Sequence, residues 1–312
     1  MKKFTKTLAK LILLLFILLN VMLIFQAYSL SHFYEQGEVE IKKQENKSGW
    51  DKTKEILFGS KFIKQKNIAP DSVVQTIYFT AKNGLKLEAW FWTTPAARGT
   101  VAMFHGHGGK KSSLLKEADV FRTLGYNALL VDFRAHGGSQ GNTCSIGYKE
   151  AEEVKLAYSY LQAKGEKNII LYGISLGAAT ITKAINDYQL NPSKIILDMP
   201  FASLSDGVKG RLKMMQLPAE PLGTLLTFWG GTLQGFWAFK HRPYEYARKI
   251  KCPVLLQRGR NDNRVTQEET EKIYDNISSQ KKLVIYENSG HESFCKKETQ
   301  KWTNELTAFL QK

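Results

Sequence analysis

The chain carries two kinds of apolar pattern. Residues 11–25, LILLLFILLNVMLIF, are apolar throughout except for Asn20, and the apolar stretch runs on to Leu30 before polar sequence resumes. A bilayer-spanning helix needs about 20 such residues, whereas the core of a signal peptide has about 7 to 15. The length therefore predicts an uncleaved membrane anchor over residues 1–30. Ala27 and Ser29 are small residues at plausible cleavage positions, so secretion after signal cleavage is the alternative. Lys2, Lys3, Lys6 and Lys10 precede the segment, and Glu35, Glu38 and Glu40 follow it. That bias puts the N-terminus in the cytoplasm and the rest of the chain outside, in a periplasmic or extracellular space.

The second pattern begins later. Residues 31–70 are polar and rich in Lys and Glu, and read as a tether that becomes an ordered lead-in near residues 56–62. After Pro70, VVQTIYFTA and LKLEAWFW flank turn residues 82–84, with β-branched and aromatic side chains in both arms, which predicts a hairpin. Six short apolar runs then follow at 100–105, 126–133, 168–174, 194–199, 253–258 and 282–287, interleaved with amphipathic stretches such as 148–163 and 268–277. Apolar runs of this length read as buried parallel strands. The alternation predicts an α/β domain over residues 71–312, a mostly parallel sheet with helices on both faces. Such sheets place their sites at the carboxyl ends of the strands.

At 312 residues and 43% hydrophobic, the chain can bury a full core. Its net charge of +15 favours anionic surfaces. The Lys and Arg are scattered without any recognition-helix or zinc-finger spacing, which excludes nucleic acid as the expected partner and favours acidic lipid headgroups. Cys144, Cys252 and Cys295 are too few and too far apart for a disulfide framework or a metal knuckle, and read as packing residues.

The run ending at 174 leads into Gly173-Ile174-Ser175-Leu176-Gly177 and then a helical pattern. G-x-S-x-G between a strand and a helix puts a serine Oγ at the tip of a tight turn, with glycines where strand and helix approach each other. A serine hydroxyl is a weak nucleophile and needs a general base, itself oriented by a carboxylate. Of the six histidines, His291 follows the nucleophile and lies just beyond the last strand, in Asn288-Ser289-Gly290-His291. The run at 253–258 leads into Gly259-Arg260-Asn261-Asp262, which puts a carboxylate after the penultimate strand. Asp198, at the end of the run KIILD, is the reserve acid.

The order Ser, Asp, His on this framework resembles the α/β-hydrolase superfamily, and within it the serine aminopeptidase and monoglyceride lipase-like branch, from about Val73 to the C-terminus. The resemblance implies that Ser175, Asp262 and His291 are the catalytic triad. It implies that His105-Gly106-His107-Gly108-Gly109 supplies one oxyanion donor, the His107 amide, and that the Leu176 amide supplies the second. It further implies that Asp132 and Arg134, in DFRAHGGS, brace the turn beside the nucleophile. A metal at His105 and His107 would lack a third ligand, and neither metal nor organic cofactor is expected.

The same resemblance places a lid at about 203–243. There PLGTLLTFWGGTLQGFWAF, residues 221–239, is uncharged and carries five aromatic side chains. A second spanning helix here would divide Ser175 from Asp262 and His291, so the segment reads as an apolar cap over an acyl pocket or a cap packed on the core. Together these residues lead us to expect a membrane-anchored serine hydrolase cleaving a small-molecule or lipid ester. A serine peptidase of the same fold and a catalytically silent binding protein on this scaffold are the alternatives.

Overall fold

The computed structural model describes residues 2–42, 44–70 and 74–311. Val73, read above as the first residue of the hairpin, and the expected domain boundary at residue 71 lie outside the described residues.

The N-terminal apolar run forms one helix, α1 (Lys2–Ser31). Among the described residues it is the one helix long and apolar enough to cross a membrane. Residues 2–18 stand free with every side chain exposed, whereas Leu23 and Ala27 are each only 3% exposed. Strand β1 (Phe33–Tyr34) follows, then α2 (Gly49–Phe58) and β2 (Phe62–Ile63), which pairs in parallel with β1. Residues 31–70 are therefore not the tether that their composition suggests. The Phe33 amide donates to the Asn142 carbonyl at 2.7 Å, the Cys144 amide to Ser31 at 2.8 Å, and the Phe33 ring is buried. From α1, Gln26 Nε2 donates to the Glu55 and Ile56 carbonyls at 2.9 and 2.6 Å, in the last turn of α2, where intrahelical donors run out. Backbone pairing and one buried ring tie the segment down, and neither leaves a trace in composition.

The expected hairpin is β3 (Gln75–Thr80) and β4 (Lys86–Trp92). Strands and helices then alternate as β5 (Thr100–Phe104), α3 (Leu115–Thr123), β6 (Asn127–Val131), α4 (Ala151–Ala163), β7 (Ile169–Ile174), α5 (Leu176–Tyr188) and β8 (Lys194–Asp198). The insertion contributes α6 (Leu204–Met214), α7 (Leu222–Gln234) and the short α8 (Pro243–Tyr246). Completing the domain are β9 (Val254–Gly259), α9 (Gln267–Asn276), β10 (Lys281–Tyr286), α10 (Phe294–Lys297) and α11 (Thr299–Gln311). The eight-stranded sheet runs β10-β9-β8-β7-β5-β6-β4-β3, antiparallel at β3–β4 and β4–β6 and parallel elsewhere.

Two cores cover the two faces. On one, Leu171 and Leu197 pack with Val154 and Leu161 of α4, Ile181 of α5 and Ile273 of α9. On the other, Met103 and Tyr172 meet Phe121 of α3 and Trp302 and Leu306 of α11. Burial on both faces is why these strands read as continuous apolar runs. The three cysteines are free and buried.

The chain runs from β5 to β6 on one side and then returns past β5 to β7 on the other. A sheet of this kind opens a crevice at the carboxyl ends of the two strands flanking such a switch. Those ends carry the His105 loop and Ser175.

Candidate active site

Between β7 and α5, Ser175 sits at φ 52° and ψ −109°, a backbone region that side chains avoid unless the surroundings impose it. The surroundings do so. The Ser175 amide donates to the Asp198 carbonyl at 2.7 Å, and the Ala179 amide donates back to Ser175 at 3.0 Å. A Cβ on Gly177 would come 2.2 Å from the Phe104 carbonyl oxygen, and one on Gly173 would come 2.5 Å from the Gly177 carbonyl carbon. Only glycine lets β5, β7 and α5 converge under the serine.

The acid and histidine loops are locked to each other as well. The Asn261 amide donates to the Ser289 carbonyl at 3.0 Å. Ser289 is anchored in turn, its hydroxyl donating to Glu298 Oε1 at 2.7 Å. The result is a relay: Ser175 Oγ lies 2.9 Å from His291 Nε2, and His291 Nδ1 lies 2.8 Å from Asp262 Oδ2. Asp262 Oδ1 accepts from the Arg264 and Val265 amides at 2.8 and 3.0 Å. Burial pushes the Asp262 carboxyl upward, but the His291 contact and the two amides outweigh it and hold the group below its ordinary value. It stays a carboxylate and fixes the Nδ1–H tautomer of His291, leaving Nε2 to accept from the serine.

Asp198, the reserve acid, faces away from His291. It is fully buried beneath the elbow, where its Oδ2 accepts from the Tyr172 hydroxyl at 2.8 Å and its Oδ1 from Gln257 Nε2 at 2.6 Å. Burial raises it to about 7 against the effect of those hydrogen bonds.

The loop after β5 passes beside the nucleophile, since a Cβ on Gly106 would lie 3.7 Å from that of Ser175. Among the described residues, the His107 and Leu176 amides have no acceptor. The loop is braced from behind. His105 Nε2 accepts from the Phe133 amide at 3.2 Å, and His136 Nε2 from the Gly108 amide at 3.0 Å. The His107 ring packs against Phe33 and Phe62, and its Nε2 donates to the Leu30 carbonyl of α1 at 3.0 Å. Burial first, then the Arg211 charge, push His107 down to about 4, so the ring is neutral at physiological pH.

Asp132 and Arg134 lie outside the pocket. Asp132 pairs with the fully buried Lys111 and accepts from the Gly138 amide at 2.9 Å. Arg134 pairs with Glu153, whose other oxygen takes the Arg134 amide at 2.8 Å. Lys111 had no sequence signal, because nothing in a loop lysine's surroundings announces burial.

Ser175 and His291 open onto a cavity of about 330 Å³ whose walls include Leu30, Phe201, Val208, Arg211 and Arg264. A smaller apolar recess shares Leu30, Ile146, Leu204 and Val208 with it and continues between α1 and α7.

A family model described as serine aminopeptidase, S33 matches residues 95–229, and one described as the dienelactone hydrolase family matches residues 210–308. The chain is similar to the uncharacterized protein YqkD of Bacillus subtilis, 29% identical over 68% of this chain and 70% of that one. It is also similar to a lysophosphatidylserine lipase, ABHD12, of Danio rerio, 24% identical over 59% of this chain and 48% of that one. The esterase PF2001 of Pyrococcus furiosus shares the fold, with a TM-score of 0.66 at 22% identity, covering 81% of this chain and 98% of that one. Fold and matches together define an α/β-hydrolase. Within that superfamily residues 95–229 are similar to the serine aminopeptidase S33 family, and the matches support a hydrolase.

Proposed function

We propose that this protein is a membrane-anchored serine hydrolase that cleaves carboxylic esters with lipid-like acyl chains through an acyl-enzyme. One observation carries the reading: the Ser175–His291–Asp262 relay opens into an apolar cavity walled in part by Leu30 of α1 and Val208 of the lid. Ser175 Oγ attacks the ester carbonyl while His291 Nε2 takes its proton, and Asp262 stabilises the imidazolium that results. The carbonyl oxygen becomes an oxyanion that the unengaged His107 and Leu176 amides receive. Loss of one such donor typically costs about 10²- to 10³-fold in rate. The C–O bond breaks, His291 returns the proton to the leaving alcohol, and water then releases the acid by the same path.

Two features support the anchor over a cleaved signal. The exposed apolar surface of residues 11–18 needs a nonaqueous partner. Further along, Leu23 and Ala27 pack with Leu226 and Ala238 of the lid, so cleavage near residue 29 would strip Ala27 from the wall of the smaller recess. With the four lysines on the cytoplasmic side, the domain lies outside with α7 beside the outer leaflet. The name of the lipase relative points to the same substrate class.

The peptidase reading has one residue in its favour. Glu292 lines the cavity as a carboxylate that could hold a substrate's α-amino group. Hydrolysis of p-nitrophenyl esters of increasing chain length by full-length protein in detergent micelles decides, with Ser175→Ala and a fluorophosphonate probe alongside. Turnover and labelling both lost in the variant, with longer chains preferred, supports the lipid esterase. Labelling without cleavage of any ester would replace it with the peptidase, and folded protein that never labels with a binding protein. Resistance to alkaline extraction supports the anchor, and a shortened, soluble mature chain overturns it.

A further inference from the structure

Helix α2 is built inside out. Its two least exposed residues are its acids, Asp51 and Glu55, which pair with Lys42 at 3.0 Å and Lys47 at 2.7 Å. Its large apolar side chains face away from the protein: Trp50, Ile56, Leu57 and Phe58 are 63, 65, 39 and 53% exposed. Ile56, Leu57 and Phe58 are consecutive, and successive helical residues point about 100° apart, so the last turn shows apolar surface on three sides. No residue of this ten-residue helix is buried. A helix so short is marginal in water without a packed apolar face, and exposed apolar surface of this kind marks a contact.

The place where α1 holds this surface determines what covers it. Gln26 donates to the Glu55 and Ile56 carbonyls, and the Ser29 hydroxyl to the Ser60 carbonyl. The Phe25 and Phe58 rings meet edge-on with centroids 5.2 Å apart. The end of α2 is thus fixed to residues 25–29 of α1, and Lys10 is the last charge before that level. At about 1.5 Å per residue, Gln26 lies about 24 Å beyond Lys10, whereas the hydrocarbon core of a bilayer is about 30 Å thick. On the anchor reading above, with Lys10 at the inner boundary, the end of α2 sits about 6 Å below the outer one. Helices that lie in a membrane surface are buried to a similar depth, about 5 to 10 Å. Helix α7 meets α1 deeper still, at Asn20, so no spacer holds the domain clear of the bilayer.

Charge agrees with this placement. Lys42 and Lys47 neutralise the two acids, while Lys52 and Lys54 are exposed and, among the described residues, have no carboxylate within 4.0 Å. Trp50, Lys54 and Leu57 share one stripe of the helix, and Lys54 Nζ stands 5.5 Å from the centre of the Trp50 ring. Indole and lysine side chains are at home where acyl chains meet headgroups, and free lysines favour acidic ones. Resting on the anchor reading, we infer that α2 is a second membrane contact, its last turn set into the outer leaflet beside α1 and Lys52 and Lys54 against acidic headgroups. A contact off the axis of α1 fixes the tilt of the domain. It also joins the membrane surface to the loop beside Ser175, because Phe62, just after α2, lies with its ring 6.2 Å from that of His107.

The test uses the full chain in nanodiscs of mixed neutral and acidic phospholipid, with single introduced cysteines carrying an environment-sensitive fluorophore. Cys144, Cys252 and Cys295 are buried, so labelling of the folded protein is confined to the introduced thiol. Ile56→Cys and Leu57→Cys report on α2, Ile17→Cys on the anchor and Asn304→Cys on an exposed position of α11. Both α2 labels should emit to the blue of the Asn304 label. They should lose more emission to a nitroxide near the headgroup end of the acyl chain than to one near its methyl end, and the Ile17 label should show the reverse order. Quenching at Ile17 with α2 labels as wet as that on Asn304 overturns the inference and leaves the anchor standing. Quenching at α2 but not at Ile17 keeps α2 as a membrane contact and overturns the spanning anchor, and quenching at neither overturns both. A blue-shifted α2 label that no lipid nitroxide quenches would place protein there, such as a second copy of this chain, and overturns the bilayer as the partner.

Discussion

The indole Nε1 of Trp229 donates to Oδ1 of Asn20 at 2.9 Å, joining the lid helix α7 to the single polar residue of the apolar run in α1. Asn20 also donates its Nδ2 to the Phe16 carbonyl at 2.8 Å, which fixes the amide so that its oxygen faces the lid. A buried side-chain amide on an apolar helix is costly unless a partner satisfies it. Here the partner is α7, which lines the smaller recess beside the catalytic cavity.

That bond should behave as a coupling between anchor and lid. A double-mutant cycle of Asn20→Leu and Trp229→Phe, read as thermal stability in detergent, should give an interaction energy of about 0.5 to 1.5 kcal/mol, the net worth of an ordinary hydrogen bond. Strict additivity would show that the two helices are not joined there.

Asp262→Asn should reduce kcat by about 10⁴-fold while leaving the fold intact, because the amide can no longer hold the Nδ1–H tautomer that frees Nε2 for Ser175. Asp198→Asn should cost far less in rate, since Asp198 bonds to Tyr172 and Gln257 rather than to His291. Comparable losses in the two variants would reverse the assignment of the acid.

Asp198 should instead show itself in the pH dependence of stability. Its folded pKa is raised from 3.8 to about 7. The folded state therefore binds the extra proton between those values, and the contribution is fully present below about 4 and lost as pH rises through 7. Glu269, also raised to about 7, acts in the same direction. Asp198→Asn should flatten the fall of stability from pH 4 to 7 by up to one proton, about 1.4 kcal/mol per pH unit. Urea melts at a series of pH values check it, and an unchanged slope rules out the proton on Asp198.

Gly177→Ala should lower stability by at least about 1 to 3 kcal/mol, because the new methyl meets the Phe104 carbonyl rather than a side chain that can move. Gly230→Ala in α7, where a Cβ meets nothing within 4 Å, should raise stability by about 0.5 to 1 kcal/mol. Thermal melts of the two variants moving in the same direction would contradict this account.

The sequence by itself determined what depends on local pattern. Strands buried on both faces must be apolar at every position, so the runs at 168–174 and 194–199 correspond to β7 and β8 within a residue at each end. The elbow was legible because the convergence of three elements tolerates only glycine at 173 and 177, and the chain order of Ser175, Asp262 and His291 followed from the strand ends. Tertiary structure decided what depends on partners distant in the chain. Composition made a tether of residues 31–70, but Phe33 and its pairing with Asn142 fasten that stretch to the domain. Two carboxylates ended neighbouring strands, and only the fold shows that Asp262 meets His291 while Asp198 meets Tyr172. Arg211 and Arg264 carried no pattern at all. Their place beside Ser175 in one cavity cannot be read from a linear order of residues.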